Sequence, residues 1–325
     1  MNQFAAFSDT ERQELFQESS ARLGIMPAIV EKDFWVTWIL GLLFSNDSLS
    51  LQLMFKGGTS LSKVYGLIER FSEDIDLILD CRQLTDQDFL AQRSKTQDNK
   101  FSKELNELAQ DYITHQLLTE IQNIIEPFCT ASIDQRDPFV INVKYPGAFG
   151  NDYLRTEIRL EIGPVAQWNP HESREITSLT AQVFPNMFKQ TSCKVNVILA
   201  KRTFWEKATI LHAEAHRPES KILPSRYSRH YYDLAQMARS TIKEEALSDL
   251  KLLEEVVQFK QRFYPASWAN YQSAMPGSFK LIPEQKAIVE LSKDYHAMRQ
   301  MIYGEYPDFK ALINILQDLE GEING

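Results

Sequence analysis

Residues 55–80, FKGGTSLSKVYGLIERFSEDIDLILD, constrain the fold of this chain more than any other stretch. An apolar segment ends at Gly57 and Gly58, an amphipathic run follows, and a second apolar segment then carries Asp74 and Asp76. The pattern predicts a strand, a glycine turn, a helix and a second strand. Because alternate residues of a strand point the same way, Asp74 and Asp76 are expected to share one face, opposite the apolar side chains.

Two carboxylates one residue apart on a strand face require a partner of opposite charge. They repel each other and lose hydration on burial, so a cation or a basic group is expected between them. Mg²⁺ is a common solution, since it prefers a few carboxylate oxygens together with the phosphate oxygens of a substrate. Asp74 and Asp76 are therefore predicted to be metal ligands and catalytic residues. The alternative is a simple strand entrance, with both acids solvated or paired with Arg70.

The glycine turn has the features of a phosphate-binding segment. Gly57 and Gly58 let the backbone approach a ligand closely, and the N–H groups at the start of a helix attract phosphate. Thr59 and Ser60 then begin the helix, and all four residues are predicted to bind phosphate. The alternative is an ordinary turn in which Thr59 or Ser60 only caps the helix. A phosphate site beside a carboxylate pair is far less expected by chance than either feature alone.

The length and charge of the chain limit the classes of protein to which it can belong. With 325 residues it is expected to form two packed parts or one elaborated domain, and its net charge of −9 argues against a protein that coats nucleic acid or an anionic membrane. The start of the chain lacks a basic segment followed by an apolar one, and the most apolar window, residues 35–44, is too short to span a bilayer. Cys81, Cys129 and Cys193 are isolated and indicate neither disulfides nor a zinc site. A cytoplasmic, reduced protein without membrane contact is expected.

The remaining segments divide the chain into a mixed α/β part and a helical part. Ser8 and Glu11 have the spacing of a capping box, which opens one helix, and Pro27 opens the next. The other predictions are strands at residues 51–55, 75–79, 139–145, 153–162, 176–184 and 194–199, a helix at 60–69, a polar linker at 93–99, a helical stretch from there to about 128, and helices from 201 onward. A mixed-sheet α/β domain is therefore predicted at residues 1–200 and a helical domain at residues 201–325.

Several motifs resemble those of one enzyme superfamily and, within it, one family. The glycine turn, a helix and then D-x-D on the next strand resemble the nucleotidyltransferases of the DNA polymerase β-like superfamily. The full string of residues 55–77 is similar to the AbiEii/AbiGii toxin family of bacterial abortive-infection and toxin–antitoxin systems. The blocks EKDFWVTW, RTFWEKATILH and SRHYYDL extend the resemblance to residues 31–234. It implies a polymerase β-like nucleotidyltransferase domain of α/β (α+β) class, with a mixed sheet flanked by helices and a carboxy-terminal helical domain that completes the nucleotide and acceptor site.

The resemblance also implies a third carboxylate on a later strand. Within YLRTEIRLEIGP, strand alternation puts Glu157, Arg159 and Glu161 on one face. Alternation does not distinguish the two glutamates, because both point the same way. Similarity to the L-E-I pattern of the family favours Glu161 as the third catalytic and metal-binding carboxylate, with Glu157 as the alternative. A half-exposed strand with solvated Glu/Arg pairs would explain the same pattern.

A basic segment stands out in this acidic chain. Residues 201–232 contain seven Lys and Arg and three acidic residues, a net charge of +4. The family resemblance implies that a lysine of this segment and an aspartate of the block SRHYYDL line the nucleotide site, and they correspond to Lys207 and Asp233. Lys207 would hold triphosphate oxygens, Asp233 would orient it or bind sugar or base, and Arg229 would be a second phosphate contact, since guanidinium binds phosphate through two hydrogen bonds. The alternative is an amphipathic helix with a solvated basic rim.

These residues predict a nucleotidyltransferase that depends on Mg²⁺ or Mn²⁺. A nucleoside triphosphate would be attacked at its α-phosphorus with release of pyrophosphate, and two metal ions would stabilise the entering and leaving oxygens. The toxin resemblance implies an RNA acceptor, such as the 3′ end of a tRNA, and a cognate antitoxin protein. The alternatives are a small-molecule nucleotidyltransferase of the aminoglycoside type and a non-catalytic nucleotide- or partner-binding protein on the same scaffold. The sequence does not choose among ATP, GTP, CTP and UTP, because the shape of the pocket selects the base.

Overall fold

The chain divides into two compact units in the computed structural model. The residues that the structure describes are 1–89, 91–150 and 155–325. The first unit comprises Met1–Val64 and Phe71–Ile198, and the second comprises Tyr65–Arg70 and Leu199–Gly325. The predicted ranges of 1–200 and 201–325 differ from this division in two respects. The boundary lies two residues earlier, after Ile198, and the short segment Tyr65–Arg70 belongs to the second unit.

A mixed β-sheet runs through the first unit. Its strands in the described residues are β1 (Leu53–Lys56), β2 (Asp74–Leu79), β3 (Thr130–Ile133), β4 (Val140–Lys144), β5 (Glu157–Gly163), β6 (His171–Thr177) and β7 (Ser192–Ile198). Their order in the sheet is β3-β4-β5-β2-β1-β7-β6. The pairs β2–β5 and β1–β7 are parallel and the other neighbours are antiparallel. This arrangement confirms the predicted mixed-sheet α/β class and puts the carboxylate-bearing β2 and β5 side by side.

The helices of the first unit begin where capping residues predict. Ser8 and Glu11 form the expected capping box, the helix ends at Gly24 in the left-handed conformation, and Pro27 opens the next helix. The helices are α1 (Asn2–Ala5), α2 (Asp9–Leu23), α3 (Pro27–Ser45), α4 (Asp47–Gln52), α5 (Gly57–Lys63), α6 (Lys95–Tyr112), α7 (Leu118–Ile125) and α8 (Leu179–Val183), with a π-helical turn at Ile113–Leu117 between α6 and α7.

Two predicted segments are wrong because a serine begins a helix inside them. The predicted strand at 176–184 ends after Thr177, where Ser178 caps α8 and its hydroxyl accepts the Ala181 N–H. The predicted linker at 93–99 already contains the start of α6, where Ser94 and Gln97 form a second capping box. Serine favours both turns and helix starts, so the local signal was ambiguous in each case.

Other boundaries move for equally local reasons. The predicted helix at 60–69 is only α5, which ends at Lys63, and Gly66 then adopts a left-handed φ of 60°. The edge strand β3 escaped prediction because half of its four residues are exposed and its apolar signal is weak. Residues 153 and 154 of the predicted strand at 153–162 lie outside the described residues, and the described part of that strand begins at Glu157.

The second unit is helical, as the pattern from residue 201 predicted. Its helices are α9 (Ala200–Ala215), α10 (Ser228–Ala238), α11 (Ile242–Leu247), α12 (Leu250–Phe263), α13 (Gln285–Ala297) and α14 (Phe309–Asn324). The segment Tyr65–Arg70 also belongs to this unit. Arg70 forms a β-bridge with Ile302, and the Glu69 carbonyl accepts a hydrogen bond from the Tyr303 N–H (3.0 Å). Residues that precede the carboxylate strand in sequence are thereby built into this unit.

A helix that crosses a bilayer needs about 20 consecutive residues that are predominantly apolar. Across the described ranges, no helix combines the length and the apolar character that a membrane crossing demands.

Candidate active site

The carboxylates of β2 lie on one face of the strand, as alternation predicted. Asp74 and Asp76 are half-buried, whereas Ile75 and Leu77 between and after them are fully buried. In the parallel pairing with β5, Asp76 stands opposite Glu161, and Asp74 stands opposite Arg159. Three acidic side chains and one guanidinium therefore share a single face of the sheet.

The glycine turn lies directly against one of these carboxylates. Gly57 has a φ of 77°, and a β-carbon built on it would lie 1.9 Å from Asp76 Oδ2. That distance is far inside any van der Waals contact, so only glycine leaves room for the carboxylate at this position. The structure thus brings the turn and the acidic pair together, which is the spatial relation that a metal-bound phosphate site needs.

Thr59 and Ser60 are close to the acids, but their side chains point inward. The Thr59 hydroxyl donates to the backbone carbonyl of Asp74, and the Ser60 hydroxyl donates to the carbonyl of Gly57 (2.8 Å). Neither residue is the helix cap, because α5 starts directly after Lys56, whose side chain makes no capping bond. The hydroxyls hold the turn against the start of β2, and a contact of this segment with phosphate would be made by its backbone.

The third predicted carboxylate has a positive neighbour. Glu161 Oε1 lies 3.4 Å from the Arg159 Nε, which is also 3.9 Å from Asp74 Oδ1. Glu157, the alternative, pairs in register with Lys144 at the end of β4. Within the ranges that the structure covers, no three His, Cys, Asp or Glu side chains are arranged to hold a metal ion. A pair of carboxylates still fits Mg²⁺, which takes one or two of them and completes its shell with water and substrate phosphates.

Three consecutive charged residues of α3 support this region, and sequence reasoning assigned no role to them. Glu31, Lys32 and Asp33 are all buried. Glu31 accepts two backbone N–H bonds from the segment after β4, at 2.8 and 3.0 Å. Asp33 accepts the first backbone N–H of α8 at 2.7 Å and pairs with Lys63 at the end of α5. The sequence did contain a signal for their role, namely three charged residues inside an otherwise apolar helix. Charged side chains are rarely buried unless they have partners.

Lys32 ties together the starts of the two carboxylate strands. Its ammonium lies 3.0 Å from Glu73, the residue before β2, and both side chains are almost wholly buried, at 1% and 2% exposure. The same ammonium donates to the Arg155 carbonyl, and Glu73 accepts the Arg155 N–H, both at 3.0 Å. Burial lowers the pKa of Lys32, and the Glu73 charge opposes that effect. The pair therefore sets the spacing between Asp74 and the beginning of β5.

The second unit contains the other predicted nucleotide-binding residues. Lys207 of α9 lies 2.7 Å from Asp233 of α10, and Asp233 also accepts two bonds from Arg70 at 2.6 and 2.8 Å. All three side chains are buried. Burial alone would raise the pKa of Asp233, but the Arg70 and Lys207 charges hold it below its ordinary value. Arg70, which the sequence suggested only as a partner of the β2 acids, is the second cation on Asp233.

Arg229 adds a further positive charge to this group. Burial lowers the pKa of Lys207, Asp233 opposes the shift, and the nearby Arg70 and Arg229 charges add to it. Burial, followed by the Lys207 and Arg229 charges, also lowers the pKa of His230 well below its ordinary value, so that ring is neutral at pH 7. The group thus combines three cations with one carboxylate, and this excess of positive charge favours an anion.

The rest of the predicted basic segment is mostly neutralised. Lys201 pairs with Asp249 at 2.7 Å, and Arg217 pairs with Glu214 at 2.6 Å. Several cations of this segment therefore pair with acidic residues, from α9 itself or from elsewhere in the second unit. The net charge of +4 is thus not spread over one continuous basic surface.

Solved structures of similar fold include two bacterial proteins. One is MenT4, a nucleotidyltransferase toxin from Mycobacterium tuberculosis H37Rv, with 14% identity, a TM-score of 0.44, and coverage of 96% of this chain and 97% of that chain. The other is JHP933 from Helicobacter pylori, with 14% identity, a TM-score of 0.38, and coverage of 91% and 98%. No curated protein matches the sequence.

Family membership rests on the sequence itself. The family described as "Nucleotidyl transferase AbiEii toxin, Type IV TA system" matches residues 38–315, which include the glycine turn, both carboxylate strands, and helices α9 and α10. The match confirms the resemblance drawn from the motifs. The chain belongs to the AbiEii nucleotidyltransferase toxin family of type IV toxin–antitoxin systems.

Proposed function

We propose that this toxin transfers a nucleoside monophosphate from a nucleoside triphosphate to RNA, using a divalent ion held by Asp74 and Asp76. The observation that carries the proposal is the contact of the Asp76 carboxylate with Gly57. A triphosphate at the glycine turn would lie beside the carboxylate pair, and a metal–triphosphate complex requires both partners at one place.

The first unit would supply the chemistry at the α-phosphorus. Asp74 and Asp76 would hold Mg²⁺ or Mn²⁺, which neutralises the triphosphate and stabilises the leaving pyrophosphate. The backbone of residues 57–60 is proposed to contact the phosphates, with the inward-bonded hydroxyls keeping that backbone in place. Glu161, in register with Asp76, is proposed to accept the proton of the attacking hydroxyl.

The second unit is proposed to bind the triphosphate through Lys207 and Arg229. The excess of cations over carboxylates around Lys207 supports this assignment, since an added polyanion would relieve their mutual repulsion. Asp233 would keep Lys207 protonated and oriented, because it opposes the effect of burial on the lysine. Arg70 would hold Asp233 from the other side.

RNA, and specifically the 3′ end of a tRNA, is the proposed acceptor, and a cognate antitoxin protein is the proposed partner in the cytoplasm. Membership of a toxin family supports an acceptor on which growth depends. A small-molecule acceptor would use the same residues and is an outcome of the test rather than a second proposal.

Labelling of RNA tests the function directly. The purified chain is incubated with total cellular RNA and each of the four α-labelled nucleoside triphosphates in turn, and with small hydroxyl acceptors in parallel. We expect label in RNA, and we expect it to disappear in Asp74→Asn plus Asp76→Asn but not in Asp86→Asn, which changes an exposed acid. Label only in small acceptors would reject RNA, and full activity of the double variant would reject the metal site.

The third carboxylate needs its own comparison. Glu161→Gln and Glu157→Gln remove the same charge from two positions of β5. We expect the first to lower the rate of transfer by about 100-fold or more, as loss of a general base does, and the second to leave it within a few-fold of the wild type. The reverse order would assign the role to Glu157.

A further inference from the structure

Arg159 occupies an unusual place, because it is a fixed cation on the acidic face of the sheet. It lies in register with Asp74 on β2 and with Asn142 on β4. Its side chain is only 13% exposed, and its guanidinium stays protonated at any physiological pH.

One end of the Arg159 guanidinium is held by a rigid anion. Its NH1 group lies 2.9 Å from Asp134 Oδ2, which also accepts a bond from the Asn142 amide at 3.0 Å. The other oxygen of Asp134 accepts two backbone N–H bonds within its own turn, at 2.9 and 3.1 Å. The Asn142 bond, the backbone bonds and the Arg159 charge lower the pKa of Asp134 to about 2, so this anchor remains charged.

The other end of the guanidinium faces the predicted metal ligands. Its Nε group lies 3.4 Å from Glu161 and 3.9 Å from Asp74, and thus stands between them. A metal ion bound by both carboxylates would need to lie about 2 Å from an oxygen of each. Such an ion would then lie within a few ångströms of a positive charge that cannot dissociate, and like charges at that distance repel strongly.

We propose that Arg159 takes the place of a second metal ion, so that this enzyme binds one divalent ion, on Asp74 and Asp76, and pairs Glu161 with a guanidinium. The inference rests on the proposed function, since it assumes that the β2 carboxylates hold the first ion. It replaces the two-metal arrangement expected from the sequence with one ion and one fixed cation. Asp134 and Asn142 are then positioning residues for Arg159.

Binding of Mn²⁺ alone tests this without any turnover. Free Mn²⁺ is titrated against the full chain and counted by electron paramagnetic resonance. We expect one tight ion per wild-type chain, and none in Asp74→Asn plus Asp76→Asn. In Arg159→Gln we expect a second ion or at least tenfold tighter binding, because the competing cation is gone. Lys144→Gln, which removes an exposed cation from the neighbouring strand, should bind like the wild type.

The outcomes separate the two proposals. Two ions on the wild-type chain, or an Arg159→Gln chain that binds Mn²⁺ like the wild type, would overturn the role of Arg159 while leaving the metal site intact. Absence of tight binding to the wild type, or unchanged binding after loss of both β2 acids, would instead reject the proposed metal site. Arg159→Lys keeps the charge and should retain one ion. If Arg159→Gln does not fold, Arg159→Met keeps the apolar stem and carries the same test.

Discussion

Replacing Gly57 by alanine should inactivate the enzyme through the position of one carboxylate. The added β-carbon would lie 1.9 Å from Asp76 Oδ2 and 2.5 Å from its Cγ. To reach an ordinary contact distance of about 3.4 Å, the added β-carbon and Asp76 Oδ2 must move apart by about 1.5 Å. Because β2 is paired on both sides, its backbone cannot follow easily, and the carboxylate itself must turn away.

The size of the effect can be estimated in two parts. Alanine in the left-handed conformation, with φ at 77°, costs about 1–2 kcal/mol of folding free energy. Misplacement of a catalytic group by about 1 Å lowers a rate by about 100-fold. Gly24→Ala is a matched control, because Gly24 has a φ of 67° but no atom within 4 Å of an added β-carbon. It should show the loss of stability that comes from the left-handed conformation alone, and no loss of activity.

Urea denaturation measures the loss of folding free energy, and pyrophosphate release with total RNA measures the loss of rate. We expect Gly57→Ala to lose at least as much free energy of unfolding as Gly24→Ala, and only Gly57→Ala to lose about 100-fold in rate. Gly57→Ala should also bind Mn²⁺ more weakly than Gly24→Ala. If the activity of Gly57→Ala remained within about threefold of the control, the contact between turn and carboxylate would have no part in positioning the metal.

Three further predictions concern buried charges. Lys32→Met should lower the free energy of unfolding, measured by urea denaturation, by about 3–5 kcal/mol, because it leaves Glu73 buried without its cation. Adding Glu73→Gln should restore most of that free energy. A Lys32→Met chain as stable as the wild type would contradict this prediction. Asp233→Asn should move the alkaline limb of the pH–rate profile to lower pH, because Asp233 opposes the lowering of the Lys207 pKa by burial. An unmoved limb would exclude a role for protonated Lys207. Burial lowers the pKa of His212 to about 4, whereas the unfolded residue titrates near pH 6.5, so the unfolded chain binds more protons between these values. Urea denaturation should therefore show stability falling as the pH drops from about 6.5 to about 4, and His212→Gln should flatten that slope.

Local chemistry made the centre of the site predictable. The alternation of strand side chains was enough to put Asp74 and Asp76 on one face, and the structure has them there. The strong helix starts at Ser8 and Pro27 were equally readable, because capping involves residues within one turn. Where a local signal had two meanings, as for Ser94 and Ser178, prediction failed.

The partners of the buried charges could not be predicted, because they come from distant parts of the chain. Arg70 and Asp233 are 163 residues apart, and Glu31 lies 117 residues from the backbone N–H that it accepts. Nothing in a periodic pattern states which elements will be neighbours. The inward orientation of the Thr59 hydroxyl could not be predicted for the same reason, because its acceptor belongs to another element, β2.

The sequence by itself determined the kind of chemistry: a glycine turn, a carboxylate pair and a family whose members transfer nucleotides. Only the tertiary structure decided which cations stand next to those carboxylates, and it put Arg159 between Asp74 and Glu161. The physical reason is that residue types and spacing are local properties, whereas the electric field at a site is the sum over every charge that folding brings near it.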